Sequence, residues 1–395
     1  MRQKLHRRRQ TIFKRRNPIL SLFKWGLPVI AVVALGFFGA KYFAEHPITA
    51  KPDPASSAPV SDGSEAPAAS GSESVTDETL TSLKAFYLPD TALADEAALK
   101  DTLAKAAAAG LDSVLLDMKD ADGRLHYRSA NAQAVQVNAF TETAPELSAL
   151  RSLFETIRAS GLKPLVRLYA FRDHAAARAL ADCRIGYQGQ AGWVWYDGDP
   201  KNGGKAWLNP YSDAAQLYII DLARELRDAG AAGILLDGVE FPAYTGSADF
   251  GTSSNTSLSH ADVLKNFVEH ARSLLGEHCP VLLACTEKSA LGTDTKVYGG
   301  NPLTFHATFA APRLSVSGLT EDSGQQQLQS ALTQLTARVK VMAAGEQPVL
   351  SPILQADDTS SAALKSGVDA CESGGIRSYI LYQTQGQYDF TALRG

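Results

Sequence analysis

Gly233-Ile234-Leu235-Leu236-Asp237-Gly238-Val239-Glu240-Phe241-Pro242 is the stretch that decides the fold. A small residue and three aliphatics run straight into a carboxylate. A glycine, a second carboxylate, an aromatic ring and a proline follow. The apolar run is too short for a helix and is bounded by breakers, so it reads as a parallel strand buried on both faces. Asp237 stands where that strand would end. In a (β/α)8 barrel the C-terminal strand ends form the face that carries the chemistry. A carboxylate at the end of a buried strand is costly unless it is paired or used, which makes Asp237 the first candidate for function.

Outward from this strand the chain alternates strand and helix. Strands are expected at 84–88, 113–117, 164–171, 233–237, 280–285, somewhere within 305–317, 347–355 and 375–382. Helices are expected at 95–109, 145–160, 173–181, 214–229, 262–275, 325–342 and 360–371. Glycines at 110, 161 and 230 follow three of these helices as C-caps. Eight strands alternating with helices over residues 80–395 make an α/β domain of the TIM-barrel class. An open doubly wound sheet is the alternative, but it would be expected to carry a glycine-rich phosphate loop after an early strand, and the sequence has none.

In a barrel the strand ends converge on one mouth. They bring Asp117, Lys119 and Asp120 from the second strand, Arg167, Tyr169 and Arg172 from the third, and Asp237 and Glu240 from the fourth. The fifth ends at Glu287, the seventh at Gln355, Asp357 and Asp358, the eighth at Gln383. Carboxylates, arginines and amides together suit sugar hydroxyls and two-carboxylate glycoside cleavage. The connection before the fourth strand adds Trp193, Trp195, Tyr196, Trp207, Asn209 and Tyr211, rings that read either as a sugar subsite wall or as packing for the loop itself. Other groups have structural readings too. Asp117 could pair with Arg167 or Lys119, Asp120 and Asp122 suit a turn at Gly123, and Asp357-Asp358 suit a helix N-cap.

Four motifs in order resemble a glycoside-hydrolase-like family of bacterial surface proteins, a domain-of-unknown-function (β/α)8 barrel in the glycosidase TIM-barrel superfamily. They are Leu116-Asp117-Met118-Lys119-Asp120-Ala121-Asp122-Gly123, Arg167-Leu168-Tyr169-Ala170-Phe171-Arg172-Asp173, Ala206-Trp207-Leu208-Asn209-Pro210-Tyr211 and Leu236-Asp237-Gly238-Val239-Glu240-Phe241-Pro242. A weaker Pro352-Ile353-Leu354-Gln355 follows. The resemblance implies a glycosidase-like barrel over most of residues 84–388. The chain departs from the family at the fourth strand, where Gly238 stands for a tyrosine and Glu240 for an arginine. An acid in place of a base changes the charge beside Asp237 by two units and would raise one carboxylate's pKa. Analogy with amylase-type barrels implies a retaining mechanism, with Asp237 as nucleophile and Glu287 as acid/base; Glu240 is the rival for the second role. Asp117, Lys119, Arg167, Tyr169, Trp193, Trp195, Trp207, Asn209, Tyr211, Gln355 and Asp357 would bind substrate. The other reading is a non-catalytic glycan-binding or scaffolding module on a degenerate barrel.

The first 79 residues belong to a different class. Up to Lys24 there are nine Lys/Arg and no acid, and an apolar run follows that, with its flanks, reaches the ~20 residues a bilayer core needs. Residues 1–24 read as a basic cytoplasmic tail, and 25–44 as a transmembrane signal anchor that places the rest of the chain outside the cell. Cleavage is disfavoured because Phe38 and Tyr42 stand where a signal peptidase site needs small residues. Residues 45–79, rich in Pro, Ala and Ser, read as a disordered tether. Beyond Lys24 there are 29 basic against 42 acidic residues, which argues against a nucleic-acid partner and leaves a polysaccharide and the membrane as the expected ones. The four cysteines match no zinc pattern, and the histidines form neither His-x-His nor His-Glu-x-x-His. A metal-dependent hydrolase is therefore disfavoured, and no cofactor is expected.

Overall fold

Eight parallel strands close on themselves: β1 (Lys84–Leu88), β2 (Ser113–Lys119), β3 (Lys163–Tyr169), β4 (Gly233–Asp237), β5 (Val281–Thr286), β6 (Phe309–Ser315), β7 (Ile353–Ala356) and β8 (Tyr379–Gln383). Each pairs with its sequence neighbours, and β8 pairs with β1 to complete the ring. This is the (β/α)8 barrel. The computed structural model describes Leu80 and residues 82–317, 322–356 and 361–393. The tail, membrane span and tether expected before residue 80 lie outside these residues, as does Asp357. Among the described residues no helix is long and apolar enough to cross a membrane.

Helices α1 (Glu96–Ala108), α2 (Leu147–Ala159), α3 (Asp213–Ala229) and α4 (His260–Leu275) follow the first four strands. A short α5 (Glu287–Ala290) follows β5, α6 (Asp322–Lys340) and α7 (Ser361–Ser373) follow β6 and β7, and a short α8 (Phe390–Leu393) closes the series. Local sequence sets these ends. The Asp95 carboxylate accepts from the amides of Ala97 and Ala98 to start α1, Ser212 accepts from Ala215 to start α3, and Gly230 ends α3 at φ 115°, a conformation glycine adopts without penalty.

The strands are apolar on both faces because both are covered. Val114, Leu116, Val166, Leu168, Ile234, Leu236 and Leu283 face the helices. Leu83, Ala85, Leu115, Leu165, Leu235, Leu282, Phe309, Ile353 and Ile380 fill the barrel interior. Register continues this inner row upward with period two. Leu115 and Leu165 are partners, and two residues on so are Asp117 and Arg167. Leu235 is followed by Asp237, level with Tyr169, and Ala311 by Arg313, level with Thr286. Gln355 is level with Tyr382.

The structure differs from the sequence reading in two places. The seventh strand, expected over 347–355, is broken: Val349–Leu350 pairs with β6, and β7 itself begins at Ile353 after Ser351 and Pro352. Proline has no N–H for the ladder, so the interruption is local chemistry. The tryptophan-rich connection holds a small antiparallel sheet of Gly186–Tyr187, Gln190–Val194 and Ala248–Asp249, which joins the β3–α3 and β4–α4 connections. Five-residue and two-residue strands rich in glycine carry too little alternation to be read as a sheet.

Candidate active site

Asp237 ends β4 inside the barrel and is 3% exposed. Its Oδ1 accepts the amide hydrogen of Gly238 at 2.8 Å. Its Oδ2 is ion-paired with Arg313 of β6, and Nη1 of Arg167 stands 3.9 Å away. Arg167 is held by Asp117: Nε donates to Oδ1 at 2.5 Å and Nη2 to Oδ2 at 2.7 Å. The Tyr87 hydroxyl donates to Asp117 at 3.0 Å. The Arg167 guanidinium also lies over the rings of Tyr87, Tyr169 and Tyr382, 5.2–5.5 Å from their centroids. Asp117 therefore forms the ion pair that the sequence left as one of two options, and it does so at the base of the mouth.

The turn after Asp237 aims the second carboxylate. Gly238 has φ 58°, and a Cβ built on it would meet Cδ1 of Tyr169 at 3.2 Å. Both facts require glycine where the family carries tyrosine. Three residues on, Phe241 is 1% exposed and stacks on His260 with centroids 3.7 Å apart, beside Tyr211 and Phe250. Its amide donates to the Val297 carbonyl at 2.8 Å. Glu240 is thus fixed between the strand end and an anchored ring. Burial raises its pKa, the Asp237 charge raises it further, and Tyr298, Arg313 and Arg172 oppose the shift. Tyr169 is pushed up to about 12, by burial first and by Asp237 second. Gly238→Ala is expected to cost about 1–2 kcal/mol from the left-handed backbone alone, measured as a lower midpoint in chemical denaturation.

Glu287, the residue analogy implies as acid/base, follows directly on the end of β5. It opens α5 behind Thr286, half-exposed, and its carboxylate makes no hydrogen bond or ion pair among the described residues. The charged and phenolic groups acting on Glu240 are Asp237, Arg313, Arg172 and Tyr298. Arg313 was not anticipated. The sixth strand was legible only as a 13-residue window, and without its register the inward parity of Arg313 could not be assigned.

The remaining expected binders separate into three groups. Gln355 lies at the mouth on β7, level with Tyr382. Lys119 does not reach the mouth, because the pairing of β2 with β3 shifts register between Asp117 and Lys119. A bulge of this kind moves the next side chain to the other face. Lys119 is 0% exposed, ion-paired to Asp173 at 2.9 Å, with its amine also donating to the Tyr169 carbonyl at 2.6 Å. The aromatic connection is mostly packing. Trp195 is buried and donates to the Gly246 carbonyl at 2.9 Å; Trp207 is buried and donates to Asp197 at 2.8 Å. The Tyr211 hydroxyl donates to the Leu258 carbonyl at 3.1 Å, and the Asn209 amide bridges Phe250 and Tyr211. Burial of Trp195 and Trp207 leaves little ring surface for a sugar. Trp193 alone of the three tryptophans is exposed. Asp120 takes the turn role, accepting from the amides of Asp122 and Arg124.

A groove of about 590 Å³ lies at the opposite end of the barrel, lined by Glu269, Arg272, His306 and Thr308 near the starts of β5 and β6. Barrel enzymes place chemistry at the other end, where the strands finish.

Residues 85–285 match a family model whose description is "putative glycosyl hydrolase domain". Among solved structures, the chain is similar to the PgaB (BpsB) glycoside hydrolase domain from Bordetella bronchiseptica, with a TM-score of 0.56, 12% identity, and 79% of this chain and 98% of that one covered. It is also similar to a hypothetical protein from Ruminiclostridium thermocellum, with a TM-score of 0.42, 19% identity, and 50% and 96% covered. No curated protein matches.

Proposed function

The chain belongs to this family of glycosyl hydrolase domains, and from that premise we propose that it hydrolyses a cell-wall or surface polysaccharide with Asp237 and Glu240 as the two carboxylates. The observation that carries the assignment is the environment of Glu240. It is a carboxyl three residues from Asp237, in a segment anchored at both ends, with its pKa raised by burial and by Asp237 itself. A carboxyl with a raised pKa close in sequence to a second carboxylate matches the acid half of a glycosidase pair. Glu240 would hold the proton that the leaving glycosidic oxygen needs. Asp237, facing two guanidinium groups, would stand opposite the developing oxocarbenium charge, as nucleophile in a retaining mechanism. Tyr169, Arg167 and Gln355 would line the sugar site.

In the same proposal, residues 25–44 anchor the protein in the cell membrane with the N-terminus cytoplasmic, and residues 45–79 set the barrel's reach into the surrounding polymer. The supporting observation is the basic, then apolar, then Pro/Ala/Ser-rich order of the first 79 residues.

A second reading has its own support. Both oxygens of Asp237 are engaged, one by Arg313 and one by the Gly238 amide, so Arg313 competes with a substrate for Asp237. A barrel that binds glycan without cleaving it would keep that pair closed.

The pH profile separates the two. As a general acid, Glu240 works only while protonated, so kcat/KM on aryl glycosides is expected to fall as pH rises through its raised pKa, above the ordinary glutamate range. Tyr298 holds that pKa down, so Tyr298→Phe should move the basic limb to higher pH. A limb that stays at the parent position in Tyr298→Phe would remove Glu240 from the mechanism, and absence of turnover across the pH range would favour the binding reading.

A further inference from the structure

The exposed large aromatic side chains among the described residues are Tyr187, Trp193 and Tyr244, which are 37%, 63% and 65% exposed. All three belong to the small antiparallel sheet or to the segment that enters it. Tyr187 is on the central strand, Trp193 on one outer strand, and Tyr244 four residues before the other outer strand. We propose that this sheet is a glycan-chain platform flanking the catalytic mouth, and hence that the substrate is a polymer gripped several units from the bond that breaks. The proposal rests on the glycosidase reading and deepens it.

The sheet is rigid where its rings are exposed. Gly186 lies between the backbones of Asp249 and Trp193: a Cβ there would meet the Asp249 carbonyl at 3.5 Å and the Trp193 carbonyl at 3.9 Å. The buried indole of Trp195 donates to the Gly246 carbonyl, and the Tyr244 hydroxyl packs directly on the α-carbon of Gly246. Trp193 and Tyr244 are therefore tied to one another through two residues, one hydrogen bond and one van der Waals contact. Arg184 also fixes the outer strand by donating to the Gly192 carbonyl at 2.7 Å. Rings displayed on a braced sheet lose little conformational entropy on binding, which is what makes aromatic side chains efficient contacts.

Continuity with the site points to the occupant. The third strand of the sheet lies on the same β4–α4 connection that carries Asp237 and Glu240, and Tyr244 is four residues beyond Glu240. The other two strands lie on the β3–α3 connection, which leaves the same end of the barrel. Three strands at the usual spacing span about 10 Å, the length of a short run of sugar units. Apolar sugar faces with hydroxyls at their rims match rings set among backbone amides and glycines. A second copy of this chain or another protein would use the same rings, and the test distinguishes them.

The experiment compares the full chain with the double variant Tyr187→Ala/Tyr244→Ala. Affinity electrophoresis in gels containing hydroxyethylcellulose, glycol chitin or dextran reads polymer binding. Turnover of aryl glycosides reads the catalytic centre independently. The expected result is retardation of the parent by at least one polymer and about tenfold weaker retardation of the variant, the factor that ~1.4 kcal/mol of lost stacking corresponds to, with aryl-glycoside turnover and melting temperature unchanged. Equal retardation of both proteins, no retardation of the parent by any polymer, or a variant that differs only in self-association would overturn the platform. Failure of aryl-glycoside turnover in the parent would sink the hydrolase reading and leave the binding readout to decide the platform.

Discussion

Asp237→Asn is expected to lower sugar release by about a thousandfold or more, the scale on which a group aimed at transition-state charge acts. The substitution keeps the size of the side chain and removes its negative charge. It takes away both the nucleophile and the anion that faces the oxocarbenium-like centre. The fold should survive it. Arg167 retains its bidentate pair with Asp117, and the Arg313 side chain is 27% exposed and can reach water. The paired measurement is initial rate on polysaccharide beside thermal unfolding. A large loss of rate with a nearly unchanged melting temperature is the expected outcome. Similar fractional losses in rate and in folded protein would assign Asp237 to the scaffold.

Lys119→Met is expected to destabilise the domain by about 3–5 kcal/mol, because it strands a buried charge. Lys119 and Asp173 are both fully inaccessible, 2.9 Å apart. Asp173 is confined on its other side: a Cβ on Gly123 would lie 1.8 Å from its Oδ1, so it cannot swing away to find water. For a domain of this size the loss amounts to a drop in melting temperature on the order of 10 °C. The double variant Lys119→Met/Asp173→Asn should recover much of it, since asparagine removes the unpaired charge and still accepts from the Ala176 amide, as Asp173 does at 2.7 Å. If the single variant melts with the parent, the pair carries no such weight.

The fate of Lys119 shows what a sequence can and cannot give for such a barrel. Strand positions were legible because both faces are buried and each apolar run is closed by a glycine, proline or charge. Asp237 was legible because one carboxylate interrupts such a run at its end. Parity was not. Asp117 and Lys119 stand two apart in sequence and should share a face, yet a bulge between them sends one into the mouth and the other into the barrel wall. Arg313 was hidden for the converse reason. Its strand, Phe309–Ser315, reads as an indistinct mix of small residues and a proline, and only pairing with β5 and β7 points the side chain inward. The tryptophans show a third limit. Trp193 lies on the strand Gln190–Val194 and Trp195 just past its end, one exposed and one buried, and nothing in their sequence surroundings marks which is which.

Analogy by strand number points to Glu287 as the acid/base, and the raised pKa of Glu240, by burial and by Asp237, points to Glu240. The most direct test measures sugar release by the full chain beside Glu240→Gln and Glu287→Gln on the same polysaccharide and aryl glycosides. The account predicts turnover by the parent, loss of about a hundredfold or more in Glu240→Gln, within the range of general acid catalysis, and near-parent rates in Glu287→Gln. Loss in Glu287→Gln with Glu240→Gln intact would contradict it, as would a parent that releases no sugar.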